Sequence, residues 1–121
     1  MVNLPTAYTP ERGDAVWINF DPQAGHEQAG RRPAIVLSPS AYNGKVGMAI
    51  LCPVTNRPKG YPFEVMIPAG LPVTCVILAD PVKSLDWRVR KAEFIGTIPD
   101  AQVAETLKLI QSLLHGVIHR G

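Results

Sequence analysis

Apolar and polar residues alternate in short runs through most of the chain, and only its end changes period. From Ala15 to Phe20, Val16, Ile18 and Phe20 fall on one face and Ala15, Trp17 and Asn19 on the other, the pattern of a strand. Pro33 to Leu37 is β-branched and stops at Ser38-Pro39, and Met48 to Val54 is apolar enough for a central strand. Pro62 to Ile67, Thr74 to Leu78, Asp80 to Trp87 (Val82 and Leu85 pointing inward) and a stretch around Glu93 to Ile98 read as further strands. Turn chemistry separates them at Glu11-Arg12-Gly13-Asp14, Asn43-Gly44-Lys45 and Ala69-Gly70. Then Val103, Leu107, Ile110, Leu114 and Val117 recur at helical spacing, which predicts one amphipathic helix from Pro99 to His115. Pro99 suits a first helical turn, Asp100 the positive end of the helix dipole, and Gly116 a helix end.

Short strands followed by one helix predict a mainly β fold, a small and strongly bent β-barrel with a C-terminal helix packed on it. At 121 residues the chain has the size of one domain, 1–121, with 1–10 expected to be a loose leading segment. Apolar residues make up 46% of it, enough for a packed core and against a disordered chain. The proline count of 12 argues for short elements joined by fixed turns. Neither a membrane-length apolar run nor a secretory leader pattern is visible, so a cytoplasmic protein is expected. Cys52 and Cys75 both lie among apolar residues and read as buried free thiols.

The net charge of +2 says little until the charges are located. The polar loop from Asp21 to Arg32 brings acid, amide, imidazole and guanidinium groups together, with Arg32 where the second strand begins. A loop this long in so small a domain is functional or disordered. A second polar loop holds Thr55, Asn56, Arg57 and Lys59 after a central-looking strand. If neighbouring strands bring the two loops together, Arg32, Thr55, Arg57 and Lys59 form a basic, hydroxyl-bearing cleft that suits a phosphate. A third basic segment carries Lys83, Arg88, Arg90 and Lys91. Trp17, Tyr61 and Trp87 are scattered among these segments, an arrangement that fits single-stranded nucleic acid. Tryptophans are more often core residues, and that reading is the first one for Trp17 and Trp87. His26 lies in the long loop and can exchange a proton; His115 and His119 read as surface residues near the end of the helix. Neither a phosphate-cradling glycine motif nor a nucleophile elbow nor a metal-ligand cluster stands out, so no metal and no cofactor is expected.

The segment Gly13-Asp14-Ala15-Val16-Trp17-Ile18-Asn19-Phe20-Asp21-Pro22, followed by Glu27-Gln28-Ala29-Gly30-Arg31-Arg32-Pro33, resembles the N-terminal signature of the MazF/PemK toxins. Cys52-Pro53-Val54-Thr55, Lys59-Gly60-Tyr61-Pro62-Phe63-Glu64-Val65 and Asp80-Pro81-Val82-Lys83-Ser84-Leu85-Asp86-Trp87-Arg88 are similar to its later motifs, so the likeness runs from Arg12 to Leu114. The resemblance implies an SH3-like barrel, a homodimer, cleavage of single-stranded RNA and inhibition by a cognate MazE-like antitoxin. It implies Arg32, Thr55 and Glu27 as catalytic residues, with Gln28 beside them. Gln28, Trp17, His26, Asn56, Arg57, Lys59, Lys83 and Arg88 are then candidates for holding RNA. The third motif departs from the family: Pro81 stands where glutamine is usual, which removes a side-chain amide and a backbone donor. Two other classes stay open: a CcdB-like toxin that binds gyrase without chemistry, and a nucleic-acid-binding module without catalysis.

Overall fold

A computed structural model describes residues 8–20 and 30–115. Seven strands and two helices follow in the order β1 (Asp14–Asn19), β2 (Arg31–Val36), α1 (Ser40–Val46), β3 (Met48–Thr55), β4 (Glu64–Ile67), β5 (Cys75–Leu78), β6 (Lys83–Asp86), β7 (Glu93–Thr97) and α2 (Asp100–His115). The sheet is antiparallel, in the order β4-β5-β3-β2-β1-β7. Strand β3 is its axis. One edge of β3 pairs with β2; the other is shared, Met48 to Leu51 facing β6 and Val54 and Thr55 facing β5.

Both faces of this curled sheet are covered, which is why adjacent residues of one strand are buried. Ala15, Ile35, Cys52, Val54, Val65 and Ile77 pack with Val103 on one side, and Leu107 and Ile110 of α2 lean on the same cluster. Val16, Ile18, Ala34, Val36, Leu51, Leu85 and Trp87 form the other. Val82 and Leu85 are therefore both inward, as expected, but toward different clusters. A strand alternates sides at every residue, so two covered faces are needed to hide both parities.

Four expectations need correction. Asn43-Gly44-Lys45 is not a turn but the middle of α1. Asparagine and glycine are poor helix formers, and tertiary bonds overrule them: buried Asn43 donates to the carbonyls of Pro10 (2.8 Å) and Ser38 (2.9 Å) and accepts from the Ser38 hydroxyl (2.6 Å). The helix ends at Gly47, whose φ of 81° is the left-handed conformation glycine adopts without penalty. Next, the strand expected from Asp80 to Trp87 is only β6, because Asp80 to Val82 turn away before pairing begins. Leu114 continues the apolar spacing of α2 yet is exposed, being too far along the helix to meet the core. Lastly, Cys75 is half-buried at the start of β5, while Cys52 is fully buried.

Candidate functional site

Strands β2 and β3 align Ala34 with Pro53, Ile35 with Cys52 and Val36 with Leu51. The ladder ends at Ala34, next to Pro33, which has no N–H to give. Carried two residues further, the same register sets Arg32 opposite Thr55. Both then share the face of Ala34, because side chains two apart in a strand point the same way. The two residues expected from separate loops thus come together just beyond the last β2–β3 pair, where both line the same two clefts.

The two clefts at this end share Arg32, Thr55 and Arg57 as their common rim. The larger, of roughly 660 Å³, lies on the side of Trp17, Pro33 and Asn56 and is closed by the 72–74 segment and Ile95. Gly96 lets that segment come close: a Cβ there would collide with the Pro72 ring. The smaller, of roughly 400 Å³, continues past Lys59 and Tyr61 to Glu64, Leu78, Asp80 and Pro81. Trp17 is 41% exposed, so its reading as a core residue is corrected. It faces Pro33 and Glu93 across its two neighbouring strands, and neither covers the indole. Trp87 does belong to the core, and its indole N–H donates to the Asn43 carbonyl at 3.0 Å.

Hydrogen bonds set the shape of the second polar loop. The Thr55 hydroxyl accepts from the Arg57 backbone N–H at 3.1 Å, which leaves its own proton available for another acceptor. Glu64 takes the Lys59 N–H on one carboxylate oxygen (2.9 Å) and the Gly60 N–H on the other (3.0 Å), and its own N–H donates to the Tyr61 carbonyl at 3.2 Å. A loop tied by both oxygens of one carboxylate presents Arg57, Lys59 and Tyr61 in a fixed arrangement. Lys59 lies over the Tyr61 ring, 6.0 Å from its centre. Sequence reasoning missed Glu64 as a site former; a lone acid just beyond a lysine-glycine turn was the available signal. Asp80 was also missed. It is close enough to the Cys52 thiol to act on it: burial first, and then the Asp80 charge, push that thiol up to about 12.

Not every expected residue arrives. Arg88 lies against the Trp87 ring, 4.6 Å from its centre, and reaches the Gly44 carbonyl at 3.5 Å, so its charge supports α1 and lines neither cleft. Lys83 is exposed on β6 opposite Leu51, beside a part of β3 remote from Thr55. Arg31, which was not expected at the site, does line the larger cleft, on the strand face opposite Arg32, but it is held there by Asn19 (3.1 Å), the Lys91 carbonyl (3.1 Å) and an ion pair with Glu93 (2.9 Å). His26, Glu27 and Gln28 fall outside the described residues. Among the described residues no three histidine, cysteine, aspartate or glutamate side chains gather as metal ligands would, and no helix is long and apolar enough to cross a membrane.

A half-barrel sheet with a helix against it, and a rim of arginine and threonine over two clefts, defines a small mainly β domain with a basic, hydroxyl-bearing site. The chain belongs to the family of PemK-like, MazF-like toxins of type II toxin–antitoxin systems, whose model matches residues 11–114. It is 48% identical to the endoribonuclease toxin MazF of Escherichia coli over 115 residues, 95% of this chain and 99% of that protein. The endoribonuclease toxin ChpB of the same species is 38% identical over 86% of this chain and 93% of its own length. Among solved structures, MazF of Deinococcus radiodurans superposes with a TM-score of 0.83 at 57% identity, covering 90% of this chain and 99% of that one. A MazE–MazF complex from the same organism gives 0.80 at 50% identity, covering 90% and 98%.

Proposed function

We propose that this chain is a toxin that cuts single-stranded RNA without a metal ion, and that Arg32 and Thr55 carry the chemistry. The observation that supports the assignment is that both residues lie two positions beyond the last β2–β3 pair and line both clefts at their shared rim. The relatives named endoribonuclease supply the reaction class.

RNA carries its own nucleophile. The 2′-oxygen attacks the adjacent phosphorus, the bond from phosphorus to the 5′-oxygen breaks, and the products are a 2′,3′-cyclic phosphate and a 5′-hydroxyl. One proton leaves the 2′-oxygen and one reaches the departing 5′-oxygen. Charge grows on the non-bridging phosphate oxygens in between, and preorganised donors there lower the barrier most. Arg32 offers a planar fork of donors to those oxygens. Thr55 offers the hydroxyl proton that its bond with Arg57 leaves free. A guanidinium has donors only, so Glu27, by the family resemblance, orients Arg32 or shares the proton transfer. Arg57 and Lys59 hold neighbouring phosphates, and Trp17 offers its exposed ring to a base.

The partners follow from the family. A cognate MazE-like antitoxin is the expected inhibitor, since MazE–MazF complexes are among the similar structures. The chain is proposed to act as a homodimer, and an RNA substrate puts its action in the cytoplasm. The deciding experiment is incubation of a long single-stranded RNA with purified protein in excess EDTA, beside Arg32→Ala, with product ends mapped. Cutting at a short recurrent sequence, lost in the variant and leaving cyclic phosphates, supports every part of the reading. Intact RNA with folded wild-type protein would favour the gyrase-binding or non-catalytic classes.

A further inference from the structure

The smaller cleft has a mixed lining: the Arg32, Thr55 and Arg57 rim that it shares with the larger one, the apolar side chains of Leu78 and Pro81, and the acid Asp80. Tyr61 lines it too, 57% exposed, on a loop that Glu64 ties through its backbone. A phosphate suits the cationic rim and is repelled by Asp80. A flat, apolar group with hydrogen-bond donors on its edge suits the rest: tyrosine, leucine and proline offer it apolar surface, and a carboxylate accepts its donors. Those are the features of a nucleobase attached to a phosphate, and aromatic stacking holds unstacked bases in this manner.

The two acids of this cleft are not equivalent. Both Glu64 oxygens are engaged by backbone N–H groups of the loop. Asp80 makes no hydrogen bond to another described residue, is exposed, and sits on a turn that Pro81 stiffens by fixing its own φ. Proline at 81 also makes the adjoining wall apolar, so the polar recognition falls to Asp80. A carboxylate accepts hydrogen bonds and gives none. It accepts from the amino group of cytosine, and equally from the amino edges of adenine and guanine. Uracil lacks an amino group; its one base donor, N3–H, lies between two carbonyl oxygens, so a carboxylate that accepts from it also faces O2 or O4.

We infer that the cleft from Tyr61 to Asp80 is a nucleobase subsite beside the Arg32–Thr55 pair, and that Asp80 makes it select an amino-bearing base against uracil. The inference rests on the proposed RNA substrate, and its test reads binding as well as cutting. The probes are short single-stranded oligonucleotides around one mapped cut site, with A, C, G or U in turn at each position flanking the cut. A second set carries a 2′-deoxy sugar at the cut, so that it binds without reacting. Wild-type protein is expected to bind and cut the amino-bearing sequences about tenfold or more better than uracil at one flanking position. Asp80→Asn keeps the shape but can donate to O4, and should bring that ratio close to one or invert it. Tyr61→Leu should weaken all four bases alike, by about tenfold, and keep the ratio. Both residues are exposed, so folding is not at stake. A ratio that Asp80→Asn leaves unchanged, in binding or in cutting, overturns the subsite. Failure of wild-type protein to cut would instead sink the ribonuclease reading, and binding of A, C, G and U homo-oligomers, which needs no mapped site, by wild type and Asp80→Asn then decides whether Asp80 selects a base.

Discussion

Two neighbourhoods of this molecule each pair a tryptophan with arginines, and they use them in opposite ways. Around Trp87 the cations are spent on the fold. Arg88 lies on the indole and reaches the Gly44 carbonyl, and Arg90 donates from one nitrogen to the carbonyls of Asn19 (3.2 Å) and Phe20 (2.8 Å). Around Trp17 the indole is exposed, and Arg32 and Arg57 border open clefts. In sequence the two sets look alike, as basic residues near an aromatic. The difference is what backbone lies within reach. Carbonyls left unpaired where β1 runs out and over α1 absorb the first set, whereas Arg32 and Arg57, unlike neighbouring Arg31, donate from their side chains to no carbonyl among the described residues. A basic segment therefore points to a ligand only once the carbonyls it can satisfy are counted.

The largest expected effect tests the structural half of that contrast. Trp87→Ala removes a buried indole from the cluster of Val16, Leu51 and Leu85 and takes from the Asn43 carbonyl one of its two donors, leaving the Gly47 N–H. About 3–5 kcal/mol of stability should go, read as a large drop in Tm. Trp17→Ala should leave Tm nearly alone and weaken RNA binding by about tenfold, the worth of one stacked base. Similar Tm losses in the two variants would dissolve the distinction.

The next effect sharpens the contrast within one residue type. Arg32→Ala should cut RNA about a hundredfold more slowly or worse, with a melting curve like the wild type's, because the side chain is exposed. Thr55→Ala should fall in the same range. Arg90→Ala should do the reverse: it orphans two partly buried carbonyls and costs about 1–3 kcal/mol, with the cleavage rate per folded molecule retained. Single-turnover cleavage beside thermal denaturation separates the outcomes. A fully active Arg32→Ala would take Arg32 out of the chemistry.

The strands and α2 were legible because their apolar periods are clean, and because two covered faces bury both parities of β1 and β3. The site was legible in part. Arg32 and Thr55 each stood at the junction of a strand with a polar loop, and antiparallel pairing of neighbouring strands does the rest. What could not be read depended on contacts distant in the chain. Asn43 builds a helix through Pro10 and Ser38, Glu64 shapes a loop that precedes it, and Asp80 and Tyr61 line one cleft because β4 and β5 pair. Arg88 and Arg90 carry no local sign that carbonyls at Gly44 and Asn19 will claim them.

The smallest effect concerns the inner part of β3, the strand that ends in Thr55. Three residues before the open rim, Cys52 is fully buried, and its thiol lies 3.7 Å from the Ala79 carbonyl. Burial raises its pKa from the ordinary 9.0 to about 12, so the fold favours the neutral thiol. A folded pKa above the unfolded one stabilises fully below the unfolded value, and that share is lost as pH rises toward the folded value. Tm should therefore be flat through neutral pH and begin to fall above about 9. Cys52→Ala should start from a lower Tm because of the cavity, yet lose the first part of that alkaline decline. The decline that starts higher belongs to Tyr8, whose hydroxyl burial and Asp14 also push up, and Tyr8→Phe should remove it. At neutral pH, iodoacetamide should label half-buried Cys75 and reach Cys52 only in denaturant, as peptide mass spectrometry would read. Labelling of Cys52 in the native protein would mean that β3 opens beyond its rim, and the boundary between closed core and open cleft would then lie deeper than Thr55.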